Sequence, residues 1–137
     1  MRVSSRPILL VEDDHVDILT IRRALKEIAV LNPVVVRENG EDALAYLRDP
    51  AGARPCIILL DLNMPIMNGL EFLEQAKHDE QLRSIPVIML TTSEEQHDKV
   101  NSFKLGVAGY MAKPVDYRRF VDMMRSIDLY WSASEIP

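Results

Sequence analysis

Five short apolar runs recur along this chain, each followed by a stretch with helical spacing, and that alternation constrains the fold more than any single motif. Ile8 to Val11 is a strand-length run that gives way to Ile18, Leu19, Ile21, Ala24, Leu25 and Ile28 at helical period. Val34 to Val36 is a second short strand, punctuated by Asn39-Gly40, after which Ala43, Leu44 and Leu47 mark the apolar stripe of a second helix. Two prolines and a glycine between Asp49 and Pro55 make a loop before the third strand, Cys56 to Leu60. Past a turn over Leu62 to Asn68, Asn68 and Glu71 form a capping box that opens a helix burying Leu70, Phe72, Leu73 and Ala76. Pro86 introduces a fourth strand, Val87 to Leu90. Ser93 with Gln96 then caps a mostly polar helix from Glu94 to Lys104, whose thin apolar face is chiefly Val100 and Phe103. A fifth strand lies around Gly109 to Met111, and a last helix from about Val115 carries Phe120, Val121, Met124, Ile127 and Tyr130.

Strands that are apolar at every position are buried on both faces, so strand-helix alternation of this kind implies a parallel sheet with helices on both sides. Right-handed crossovers restrict the topology further. The expected fold is a doubly wound five-stranded parallel α/β sheet, and the flavodoxin-like order 2-1-3-4-5 is supposed for it. The 137 residues fit one domain, with a core from about residue 7 to about 131.

Composition excludes several function classes. No apolar run approaches the roughly 18 residues of a membrane span, and Met1 to Pro7 lacks the apolar region of a signal peptide. The expected location is the cytoplasm, with no membrane partner. A formal net charge of −5 argues against direct binding of nucleic acid, which needs clustered Lys and Arg. Cys56, the single cysteine, is expected as a buried structural thiol. His15, His78 and His97 lack zinc-site spacing and are expected on the surface in water.

The chemistry lies at the strand ends. Glu12-Asp13-Asp14 closes the first run, Asp61 the third, Thr91-Thr92-Ser93 the fourth and Lys113-Pro114 the fifth. In open parallel sheets, ligands bind beyond the carboxyl ends of the strands, near the switch in strand order. If strands one and three are neighbours, Glu12, Asp13 and Asp61 converge, and two carboxylates 4 to 5 Å apart repel by roughly 3 to 4 kcal/mol at an effective dielectric near 20. Something cationic must offset this. An oxygen-only donor set in an open site favours Mg²⁺, and the Lys113 ammonium is the built-in part of the compensation.

Acid, acid, hydroxyl and amine in this order, with Asp61-Leu62-Asn63-Met64-Pro65 after the third strand, resemble the receiver domain of two-component response regulators, from about Pro7 to Tyr130. The resemblance implies that Asp61 is the phosphoacceptor, that Asp13 and Asp61 ligate Mg²⁺ directly, and that Glu12 does so through water and Asn63 through its backbone carbonyl. It further implies that Thr91 and Lys113 bind phosphoryl oxygens, that Thr91 and Tyr110 form the switch, and that Pro114 follows a cis bond aiming Lys113 at the site. The phosphoryl donor would be a sensor histidine kinase. Nothing follows the last helix but Ser132 to Pro137, so output is expected through contact with another protein rather than an attached effector domain. Tyr130-Trp131 near the end, with Asp17 following Asp13-Asp14-His15-Val16, is similar to single-domain regulators of cyanobacterial and bacterial phytochromes. That likeness makes Tyr130 and Trp131 candidate anchors of a homodimer; the alternative is that Trp131 only completes the packing of the last helix.

Two alternatives differ in chemistry and a third in role. A hydrolase of the haloacid dehalogenase class needs a second Asp two residues after the first, where this chain has Asn63. A flavin mononucleotide binder would need its first loop to cradle phosphate, which Glu12-Asp13-Asp14 would repel. A phosphate carrier in a multistep relay shares every site residue, and composition does not separate it from a regulator with its own target.

Overall fold

The computed structural model describes residues 6–134; the side chains of Ser102 and of residues 127–134 are outside that description. Five strands, β1 (Ile8–Val11), β2 (Val34–Arg37), β3 (Ile57–Asp61), β4 (Val87–Thr91) and β5 (Gly109–Ala112), alternate with five helices. These are α1 (His15–Glu27), α2 (Gly40–Arg48), α3 (Gly69–Lys77), α4 (Glu94–Ser102) and α5 (Tyr117–Ser134). All pairings are parallel, as the alternation predicts, and the order is β2-β1-β3-β4-β5, as supposed.

The strand period of two explains why the inner strands are apolar throughout. Ile8, Leu10, Ile57, Leu59, Ile88 and Leu90 face one side, where they pack with Ile21, Ala24 and Leu25 of α1 and Phe120, Val121 and Met124 of α5. Leu9, Val11, Ile58, Leu60, Val87 and Met89 face the other, against Ala43 and Leu44 of α2, Phe72 and Leu73 of α3, and Val100 of α4. β2 pairs with β1 alone and is only half-buried. Cys56 is buried, as expected.

Local chemistry starts the helices. The Asp14 carboxylate accepts from the backbone N–H groups of Val16 and Asp17, Asn39 caps α2, and Asn68 and Glu71 form the expected reciprocal capping box on α3. On α4 the Ser93 hydroxyl accepts from Gln96 N–H, but the Gln96 side chain turns to Thr92 instead of back to Ser93.

Several boundaries and faces depart from expectation. β3 begins at Ile57 rather than Cys56 and runs through Asp61, and α5 begins at Tyr117 rather than Val115. α4 stops at Ser102, because Phe103 is its C-cap and Lys104 turns left-handed with φ of 53°. Leu19 is 62% exposed and Phe103 45% exposed, so neither belongs to its helix's buried face. The core contact of α4 therefore rests on Val100.

Candidate functional site

Register brings the strand ends flush. Val11 pairs with Leu60, which sets Glu12 beside Asp61, while Asp61 pairs with Leu90 and Thr91 with Ala112, which puts Thr91 and Lys113 at the same edge. A backbone hydrogen bond from Lys113 N–H to Thr91 C=O, 2.7 Å, ties the last two strand ends together.

The Lys113 ammonium is the centre of the cluster. It lies 3.0 Å from Glu12 Oε2, 3.3 Å from Asp61 Oδ1 and 3.4 Å from Asp17 Oδ2. Glu12, Asp61, Asp17 and Thr91 are all buried. The Lys113–Pro114 bond is cis, and the next residue, Val115, donates its N–H to Asp17 Oδ1 at 3.1 Å. Asp17 thus holds both the ammonium and the backbone just past the turn. Its helical spacing could have disclosed this: residues 17, 21, 24 and 28 share one face of α1, so Asp17 is an acid on the apolar stripe.

Burial, then the neighbouring Asp61 charge, pushes the Glu12 carboxyl up to about 7. Asp61 is also raised, with burial outweighing its hydrogen bonds and the Lys113 charge. For Lys113, burial pulls the pKa down, but hydrogen bonding and the charges of Glu12 and Asp61 outweigh it and leave the ammonium above its ordinary range. Three acids and one base leave excess negative charge in a desolvated space.

That excess fits a divalent cation. Among the described residues, Glu12 Oε1 and Asp61 Oδ2 are buried oxygens with no hydrogen-bond partner. Donor atoms of Glu12, Asp13 and Asp61 lie within 4.8 Å of one another. Orphaned, all-oxygen acceptors at this spacing suit a hard ion. Asn63 stands over the site: its N–H donates to Asp61 Oδ1 at 3.3 Å, and its side chain accepts from Gln96 Nε2 at 3.1 Å.

Tyr110 is half-buried on β5 and stacks on the His97 ring of α4, with centroids 3.7 Å apart and planes inclined by 24°. His97 is therefore not the water-exposed group that its spacing implied, because it lies on the side of α4 turned toward β5. His15 and His78 are exposed. Tyr130 and Trp131 fall within the span of α5, but their side chains lie outside the described residues.

A five-stranded 2-1-3-4-5 sheet with acids, a hydroxyl and an amine at its carboxyl edge is a flavodoxin-like receiver fold. The chain belongs to the response regulator receiver domain family, which residues 8–125 match. It is a receiver domain of two-component signal transduction. Response regulator Rcp1 of Synechocystis sp. is 34% identical over 128 residues, spanning 90% of this chain and 87% of Rcp1. Among solved structures, the bacteriophytochrome response regulator RtBRR superposes with a TM-score of 0.80 at 45% identity, across 88% of this chain and 76% of that one. A Mn²⁺-bound form of Rcp1 superposes with a TM-score of 0.77 at 33% identity, across 92% and 94% of the two chains. Among the described residues, no helix is long and apolar enough to cross a membrane.

Proposed function

We propose that Asp61 accepts a phosphoryl group from a sensor histidine kinase and that the resulting acyl phosphate switches a protein-interaction surface. One observation carries this reading. The Lys113 ammonium converges on Asp61 Oδ1 and Glu12 Oε2, at 3.3 and 3.0 Å, beside two buried carboxylate oxygens with no partner.

In the transfer, an oxygen of Asp61 attacks phosphorus while the bond from phosphorus to the donor breaks and its electron pair leaves with the donor. Such a step is mainly positioning and charge neutralisation. Lys113 keeps its ammonium beside the charge that accumulates on phosphorus oxygens, and Asp17 keeps Lys113 in place. The Thr91 hydroxyl, at the end of β4, donates to a phosphoryl oxygen, and Thr91 with Tyr110 forms the switch. Mg²⁺, held directly by Asp13 and Asp61, through water by Glu12 and by the backbone carbonyl of Asn63, would neutralise further charge on the phosphoryl group. The domain is not an enzyme toward a separate substrate; it promotes only its own phosphorylation and dephosphorylation.

The likeness to RtBRR and Rcp1 supports a phytochrome-type sensor kinase as donor. We read the chain as one receiver domain over 1–137, in the cytoplasm, forming a homodimer with Tyr130 and Trp131 as anchors. Incubation with acetyl phosphate and Mg²⁺, followed by intact-mass measurement, tests the central step. One phosphoryl adduct is expected on the wild type and none on Asp61→Asn or in EDTA; equal occupancy on the variant would overturn the assignment.

A further inference from the structure

Four hydrogen bonds link Thr92, Gln96, Asn63 and Asp61 across the open side of the site, two of them shared between Thr92 and Gln96, and their donor and acceptor senses are fixed. Thr92 N–H and Thr92 Oγ1 both reach Gln96 Oε1, at 2.7 and 2.8 Å. A backbone N–H can only donate, so the end of the Gln96 carboxamide facing Thr92 is the oxygen. The Nε2 end then faces Asn63 and donates to Asn63 Oδ1 at 3.1 Å, while Asn63 N–H donates to Asp61 Oδ1 at 3.3 Å. Asn63 and Gln96 are 33 residues apart and lie on the loop after β3 and on α4. A glutamine serving only the helix end would be satisfied by Thr92. The second half of its amide crosses instead to the loop that carries the residue two beyond Asp61.

We infer that Gln96 is a positioning residue which, through Asn63, slows hydrolytic loss of the phosphoryl group from Asp61. The inference rests on Asp61 being the phosphoacceptor. In the hydrolysis, the oxygen of water bonds to phosphorus and the bond from phosphorus to the Asp61 oxygen breaks. Its electron pair returns to the carboxylate, and the water proton passes to solvent, leaving inorganic phosphate. In-line displacement brings that water from the side opposite the Asp61 oxygen. The carboxylate closes the end of β3, so this side is the open edge beyond the strands, where the Thr92–Gln96–Asn63 strap lies. Tied at both ends, the strap limits how freely Asn63 can swing away and admit water in line.

Gln96→Leu, measured with and without Asn63→Ala, separates this role from helix capping. A carboxylate at position 96 would keep the strap, because a rotated Asn63 carboxamide donates Nδ2–H to it, whereas Leu removes both ends of the Gln96 amide. The experiment loads the wild type, Gln96→Leu, Asn63→Ala and the double variant with acetyl phosphate and Mg²⁺, removes the donor, and follows loss of the adduct by intact mass. Releasing the strap is expected to shorten the Gln96→Leu lifetime about three- to tenfold. In the Asn63→Ala background the same change should have almost no effect, because its target is gone. An unchanged or longer lifetime in Gln96→Leu overturns the strap, as does an equal shortening in both backgrounds, which would assign the effect to the lost Thr92 bonds at the helix end. A wild type that takes no phosphoryl group at Asp61 overturns the phosphoacceptor reading itself.

Discussion

Glu12 is the residue whose titration exposes the logic of the site. Its carboxyl ordinarily titrates near 4.5 and is raised to about 7 in the folded protein, first by burial and then by Asp61. A carboxyl with a raised folded-state pKa binds its proton more tightly when folded, so stability falls as pH rises between those two values and levels off above the upper one. Asp61, also raised, acts in the same direction, and Lys113, shifted upward from 10.5, changes nothing in this window. In EDTA the urea midpoint is therefore expected to fall from pH 5 to pH 8, with a smaller fall in Glu12→Gln; equal slopes in the two proteins would contradict the account. Mg²⁺ should flatten the wild-type slope, since a cation favours the ionised carboxylates. Gly69 is a second decisive residue, at the start of α3. A Cβ there would stand 2.2 Å from the Asp61 carbonyl oxygen and 2.8 Å from Leu62 Cα, both backbone atoms with little room to yield. Gly69→Ala should cost about 1–3 kcal/mol by overpacking and slow phosphorylation by displacing Asp61. Chemical denaturation and acetyl phosphate labelling check the two effects, and a variant as stable and as reactive as the wild type would show that the loop yields freely.

Among the elements, α4 is held most lightly, with Val100 as its buried apolar contact and the His97–Tyr110 stack as its second hold on the sheet. A helix with so little burial opens at low cost. A double-mutant cycle of His97→Ala and Tyr110→Ala should give a coupling of about 0.5–1.5 kcal/mol, the range for ring pairs beyond their burial. Zero coupling in urea denaturation would reduce the stack to mere proximity. The legibility of the elements divides along the same line. Strand runs and the Asn68–Glu71 capping box were readable because they depend on neighbours within a few residues. Leu19 and Phe103 depart from expectation for different reasons: the helix angle points Leu19 away from the stripe of Ile21, Ala24 and Leu25, and α4 ends one residue before Phe103. Asp17 and His97 carry no local signal of their contacts, because their partners, Val115 at 98 positions' distance and Tyr110 on the next strand, come near only once the sheet is assembled. The Gln96–Asn63 bridge is of the same kind, a contact made by topology between polar residues with no periodic signal.

The whole molecule is a parallel sheet that presents four strand ends to one edge and holds α4 through Val100 and the His97–Tyr110 stack. Glu12, Asp13, Asp61, Thr91 and Lys113 were legible as a set because a parallel sheet gathers its carboxyl ends, whereas the balance between them required the register. Each strand end contributes one group to a common edge: the Glu12 carboxylate after β1, the Asp61 carboxylate on β3, the Thr91 hydroxyl on β4 and the Lys113 amine after β5. The account stands on the acceptor. Phosphorylation with acetyl phosphate and Mg²⁺, followed by borohydride reduction of the acyl phosphate and peptide mass spectrometry, reads its position directly, because an aspartyl phosphate is converted to homoserine at the residue that carried it. The account predicts homoserine at position 61 and at no other aspartate, with its yield lost in EDTA and sharply reduced in Lys113→Ala. Homoserine at Asp13 or Asp17, or a phosphoryl adduct that borohydride leaves untouched, would contradict it.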